Sequence, residues 1–147
     1  MVIINHLNVL MRRDIMTKRI YIAGALNDDA IGYIKNLRRM IKHAILVRKH
    51  GYAVFVPGLD FLLLLLSDEI NYNFVFYNSW HWIKVAHAIY VVPKSKKSKG
   101  TKREVALAKK LGIPVFYKVE EMDEYFFVDY EKKKKSKLGK LLSRKEK

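Results

Sequence analysis

Apolar residues along this chain fall into short β-rich bursts separated by longer stretches in which they recur every three or four positions. RIYIA at 19–23 carries Ile20, Tyr21, Ile22 and Ala23 and predicts a buried strand closed by Gly24. Asn27, Asp28 and Asp29 offer capping side chains. After them Ile31, Ile34, Leu37, Met40, Ile41 and Ile45 mark an amphipathic helix, with Lys35, Arg38, Arg39 and Lys42 outside. Gly51 stops it, and Tyr52 to Val56 predicts a second strand ended by Pro57 and Gly58. Residues 59–70 predict a mostly buried helix, because the apolar run from Phe61 to Leu66 leaves little outer face. Residues 71–84 predict another helix, rich in aromatics, and Ala88 to Val92 a third strand closed by Pro93. A loop of Ser, Lys and Gly follows. Glu104, Val105, Leu107, Ala108 and Leu111 then recur at helical spacing, Gly112 ends the helix, and Ile113 to Phe116 is apolar again. Acidic residues followed by an aromatic cluster at 119–130 predict a short helix or an edge element.

The order β-α-β-α-α-β-α-β implies an α/β domain with a parallel sheet covered on both faces. Open sheets of this kind place ligands beyond the C-terminal ends of their strands. The segment from Tyr90 to Tyr117 is the most suggestive, since a strand opens there through a Gly-containing loop into a helix. Ser98, Gly100 and Thr101 put small side chains and backbone N–H groups at that helix N-terminus, which suits an anion. An ordinary flexible loop with a capping Thr explains them equally well. Glu104 lies in the helix's first exposed turn, either as a partner of the helix dipole or as a catalytic group facing a pocket. Asp60, just after Pro57 and Gly58, stands at the mouth of the sheet and is a candidate ligand contact.

Composition narrows the field. The 147 residues make one domain with a real core, and half of them are hydrophobic. Cysteine is absent, so disulfides and thiolate metal sites are excluded. His6, His43, His50, His81 and His87 show no metal-ligand spacing, so no metal and no organic cofactor is expected. No apolar run approaches the roughly 20 residues of a membrane span, and the order of charges in residues 1–15 reverses that of a signal peptide. A cytoplasmic protein without a membrane partner is expected. The net charge of +15 is uneven, because residues 131–147 hold nine Lys or Arg against two Glu. That end is expected to be a mobile tail or a frayed helix, either a solvated solubilising end or a weak nucleic-acid contact acting by counterion release. Residues 1–17 form a leader of uncertain structure, ahead of a single domain at 18–130.

The segments IYIAGAL at 20–26, VFVPGLDF at 54–61, WHWIKVAHAIYVVP at 80–93 and SKGTKREVALAKKLGIPVF at 98–116 together resemble the nucleoside 2-deoxyribosyltransferase-like superfamily, above all its small uncharacterised phage and bacterial members. The resemblance covers about residues 18–117 and rests on the order and spacing of these segments. It implies a flavodoxin-like or Rossmann-like three-layer sandwich with a mainly parallel sheet of four to five strands, in a dimer or larger homo-oligomer. It also implies cleavage or transfer at the N-glycosidic bond of a deoxynucleoside or its 5′-monophosphate. Glu104 occupies the nucleophile's position, Ser98 that of a residue holding a 5′-phosphate, and Gly24 that of the small residue beside the ligand. A carboxylate suits an oxocarbenium-like transition state, because it stabilises the charge and can trap C1′.

The family often reads D-x-x-x-L-x-x-C/A-D-A before the third strand, its first Asp helping the base to leave. Here Ser79 stands at that place and His87 at the second Asp. Asn78, His81, Asp60 and Asp68 are conceivable substitutes, none at the matching position. GTKRE at 100–104 also resembles the G-T-x-x-E of lysine-decarboxylase-like phosphoribohydrolases, without the doubled glycine that precedes it there. The alternative to an enzyme is a catalytically weak or inactive nucleotide-binding module, a sensor or a binder of nucleotide signals. A nucleic-acid-binding protein would rest on charge alone. Tyr21 is expected in the core. Lys96, Lys97, Lys99, Lys102 and Arg103 are either a solvated face or an attractor of anions. Trp80 and Trp82 point to opposite sides of one helix, and the leucines at 62–66 are either core or an oligomer contact.

Overall fold

A computed structural model describes residues 18–26, 29–68 and 71–142. The leader at 1–17, the potential caps Asn27 and Asp28, and the last residues from 143 on lie outside the described residues. The elements are β1 (Arg19–Ala23), α1 (Ala30–Lys49), β2 (Ala53–Phe55), α2 (Pro57–Leu66), α3 (Tyr72–Val85), β3 (Ala88–Val91), α4 (Lys99–Lys110), β4 (Val115–Phe116) and α5 (Val119–Leu142). The four strands form one all-parallel sheet in the order β2-β1-β3-β4. β1 is therefore central, with Ile20 opposite Ala88 and Ala23 opposite Val91.

Period-two alternation sorts the strand side chains onto two faces. Ile20, Ile22, Tyr90 and Val92 pack with Met40, Ala44 and Val47 of α1 and with Val119, Met122 and Phe126 of α5. Tyr21, Ala23, Ile89 and Val91 pack with Ile83 of α3 and Val105, Leu107 and Ala108 of α4. The result is the expected three-layer α/β/α sandwich, with the flavodoxin-like order of strands. Each fully covered layer explains why β1 and β3 are apolar on both sides.

Local signals set the helix ends. Asp29 caps α1, its carboxylate accepting the Gly32 amide at 2.7 Å. Pro57 opens α2, Asn71 caps α3 by accepting the Phe74 amide, and Gly112 leaves α4 at φ +70°, a left-handed turn that favours glycine.

Three expectations about faces and lengths need correction. The buried stripe of α1 runs through Leu37, Met40, Ala44 and Val47, while Ile31, Ile34 and Ile45 are exposed. α2 stops at Leu66 and is not mostly buried, since Leu59, Leu62, Leu63 and Leu66 all face outward to a large degree. A short helix has only one side against the body, and six consecutive apolar residues go all the way round it. The segment at 119–130 is neither short nor an edge element. It begins a 24-residue helix that continues across position 130 as far as Leu142. Among the described residues no helix is long and apolar enough to cross a membrane.

Candidate active site

The cleft lies where the strand order reverses. β2 and β3 leave the central strand β1 on opposite sides, so the connections after β1 and β3 run to opposite faces and part at the C-terminal ends. Gly24 after β1, Pro57 after β2, and Ser98 and Gly100 after β3 all line one cavity, completed by Leu26, Val75, Phe76, Ser79, Trp80 and Glu104. Its volume is about 60 Å³. The Ser95 hydroxyl, fully buried in the loop after β3, accepts the Ala25 amide at 2.9 Å and ties the two strand-end loops together. Lys94, just before it, takes the left-handed backbone at φ 66° that turns the chain.

Glu104 projects from α4 toward the sheet. The residue as a whole is half-buried, but its carboxyl group is enclosed. Oε1 accepts the Tyr21 hydroxyl at 2.7 Å, whereas Oε2 is sealed from solvent and has no hydrogen-bond partner. Burial pushes the Glu104 carboxyl up to about 7, with the Tyr21 hydrogen bond pulling it the other way. Burial first, and then the neighbouring Glu104 charge, holds the Tyr21 phenol well above its ordinary value, so it stays a donor. The result is a carboxylate poised near neutrality, one oxygen held and the other free to react.

Tyr21 was legible in the sequence only as a core residue. It is fully buried, but the alternation that places Tyr21 on the α4 face also carries its hydroxyl to Glu104. Polar termini on apolar strand residues give no periodic signal, and only the partner across 83 positions reveals the role.

The other candidates separate. Gly24 lines the cavity, and a Cβ there would come within 2.7 Å of the Met40 Cε on the opposite side, so its smallness serves packing as well. Ser98 is the N-cap of α4, its hydroxyl accepting the Thr101 amide at 3.4 Å while it borders the cavity. At Gly100 an added Cβ would meet only the Ser98 Oγ, at 3.8 Å, so the space beside it is open. Thr101 does not line this cavity. It is buried in the first turn of α4 with its hydroxyl unpartnered, and it borders a separate groove with Lys96, Lys102 and Tyr117. Asp60 also stays outside the lining. It accepts a hydrogen bond from Asn78.

Ser79, the residue at the family's Asp position, is buried and lines the cavity. His81 is exposed and bound to the Tyr77 carbonyl. His87 lies at the far, N-terminal end of the sheet, where its Nδ1 accepts the Arg19 amide at 2.9 Å. Lys96, Lys97, Lys99, Lys102 and Arg103 are all exposed, and none of them lines the cavity. Trp82 stacks on Phe55 with ring centroids 4.6 Å apart, while Trp80 turns to the cavity beside Phe76.

A solved 2-deoxyribosyltransferase from the psychrotolerant bacterium Bacillus psychrosaccharolyticus is similar to this chain, with a TM-score of 0.53 and 25% identity over 66% of this chain and 69% of that one. No match was found among curated proteins. The likeness, together with the all-parallel sheet and its flanking helices, gives the chain a nucleoside 2-deoxyribosyltransferase-like fold. Residues 18–117, which include every residue of the cleft, match the family described as a domain of unknown function (DUF4406), and the chain belongs to that family.

Proposed function

We propose that the chain cleaves the N-glycosidic bond of a deoxynucleoside or its 5′-monophosphate, with Glu104 as nucleophile. The single observation that carries this is the Glu104 carboxyl: it belongs to a residue that lines the cavity, is enclosed, is held through Oε1 by Tyr21, and has no partner at Oε2. The Oε2 electron pair attacks C1′ as the bond to the base breaks, leaving a glycosyl ester. Water or a second base then takes the sugar and releases the carboxylate. Tyr21 is a positioning residue, since it touches Glu104 and not the cavity. Ser98 and Gly100 at the start of α4 suit the 5′-phosphate, where the helix dipole favours an anion. The fold likeness to a 2-deoxyribosyltransferase supports the same chemistry. Ligand pockets typically hold roughly 300–1,000 Å³, so the walls of this 60 Å³ cavity must part for a nucleoside.

Glu104→Ala is expected to abolish release of free base from a panel of deoxynucleosides and monophosphates, followed by chromatography, with the fold retained by circular dichroism. Base release persisting in that variant removes Glu104 from the mechanism. The second reading, a binding module without turnover, is favoured by one observation: Ser79 offers the departing base no proton at neutral pH. Tight nucleotide binding by a wild type that releases no base would decide for it.

A further inference from the structure

This inference rests on the glycosidic reading above and names how the base is received. Of the residues around the cavity, Glu104 alone titrates near neutrality, and as nucleophile it cannot also be the acid. Ser79 is a neutral hydroxyl, and Asp60 is held by Asn78 outside the lining. One further lining residue, Trp80, carries a polar group. The Trp80 indole Nε1 is buried without any hydrogen-bond acceptor, one of three buried side-chain polar atoms left unpaired among the described residues. Glu104 Oε2 is another, on a second residue that lines the same cavity. A buried donor and a buried acceptor left unmade on two residues that line one cavity are the complement of a ligand with an acceptor at one end and an electrophilic carbon at the other.

We infer that the Trp80 N–H is the hydrogen-bond donor that receives the departing base, and that the substrates are deoxynucleosides whose bases leave as carbonyl-stabilised anions. An indole N–H donates but does not give up its proton. It therefore stabilises negative charge on a base oxygen without neutralising it. When Oε2 bonds to C1′, the electron pair of the C1′–N bond passes to the base. In uracil-type and 6-oxopurine bases that charge delocalises onto a carbonyl oxygen, which Trp80 can reach as an acceptor. Water then attacks C1′ of the ester, and the proton it loses neutralises the base anion. The free base, the sugar and the Glu104 carboxylate result. Phe76, with its ring centroid 5.0 Å from that of Trp80, and Val75 supply the apolar wall against which a base lies flat. Amino bases, which leave well only when protonated, find no proton donor here.

Trp80→Phe keeps the ring and removes the donor. Kinetics are measured for wild type and variant on the 5′-monophosphates of 2′-deoxyuridine, 5-fluoro-2′-deoxyuridine, 2′-deoxyinosine, 2′-deoxyadenosine and 2′-deoxycytidine. The wild type should favour the three oxo-bases. The variant should lose about 100-fold in kcat, the usual scale for removing one donor from developing charge, with KM changed less than about threefold. The loss should be smallest for 5-fluorouracil, the most stable anion of the set. Equal kcat in wild type and variant, or a wild type that prefers adenine, overturns the inference and leaves the role of Glu104 standing.

A silent wild type overturns the glycosidic reading itself. The donor is then read directly from the indole ¹⁵N–¹H resonances, assigned with Trp82→Phe, on titration with 2′-deoxyuridine 5′-monophosphate. A downfield shift confined to Trp80 supports the hydrogen bond within a binding module. An unmoved Trp80 signal overturns it.

Discussion

If Glu104 is the nucleophile, deprotonating it moves stability and activity in opposite directions. Its carboxyl titrates near 4.5 when unfolded and at about 7 in the folded chain, so the folded state holds the extra proton between these values. Stability is then fully present below about pH 4.5 and falls as pH rises through 7, by about 3 kcal/mol for a shift of this size. Glu104→Gln should flatten that slope, leaving the variant close to wild type at pH 4 and more stable at pH 8 in denaturant melts. Activity requires the carboxylate, so kcat/KM should climb with pH through about 7 in the wild type. Tyr21→Phe removes the hydrogen bond that lowers the Glu104 value, and the activity profile should move to higher pH. A merely structural tyrosine would lower activity without moving the profile. Glu104 was legible in the sequence as a helix carboxylate near the cleft, but not in the first exposed turn expected for it: it is the sixth residue of α4, in the second turn, and its carboxyl is enclosed. Tyr21 and Trp80 were not legible, because their polar atoms ride on residues whose bulk is apolar, and burial of the bulk conceals where one N–H or O–H ends.

Among the elements, α4 concentrates the chemistry: its cap, its second residue and Glu104 all border the cavity. If the 5′-phosphate docks at its start, Ser98→Ala should raise the KM for monophosphates about tenfold and leave that for nucleosides nearly unchanged. The same variant loses a helix cap, at a cost of about 1 kcal/mol, so its melting temperature should be measured alongside. An equal rise in KM for both substrate classes would trace the effect to the cap alone. The start of α1 and the end of α4 were readable because Asp29 and Gly112 act through local geometry, whereas α2 was expected at 59–70 and runs from Pro57 to Leu66. Which face each helix buries was less readable. Isoleucines on both sides of α1, and leucines all round α2, leave the choice to the sheet beneath. Ser95, whose hydroxyl fastens the two cleft loops, looked like any other residue of a Ser-Lys-Gly loop.

For the whole molecule, the layered α/β architecture followed from alternating strand and helix patterns, while strand order and the inclusion of basic residues in α5 did not. The exposed lysines from 132 to 137 form the far half of that helix, beyond the packing of Val119, Met122 and Phe126. Deleting residues 131–147 should therefore shift the melting temperature by no more than a few degrees, as expected where little apolar area is buried. It should also abolish any salt-sensitive binding to single-stranded or duplex nucleic acid; binding that persists would assign it to the basic face of α4. The sheet order has a further consequence in time. Among the described strands β1 leaves the ribosome first, yet it pairs with both β2 and β3, and its Tyr21 waits 83 residues for Glu104. Contacts so distant in sequence slow folding, because loop closure precedes the gain from pairing. Until β2 and β3 have paired with it, a central strand with two unpaired edges is open to other chains. The Tyr21–Glu104 hydrogen bond can form only after α4 has been made, so a chain that stops short of α4 lacks one wall of the cleft.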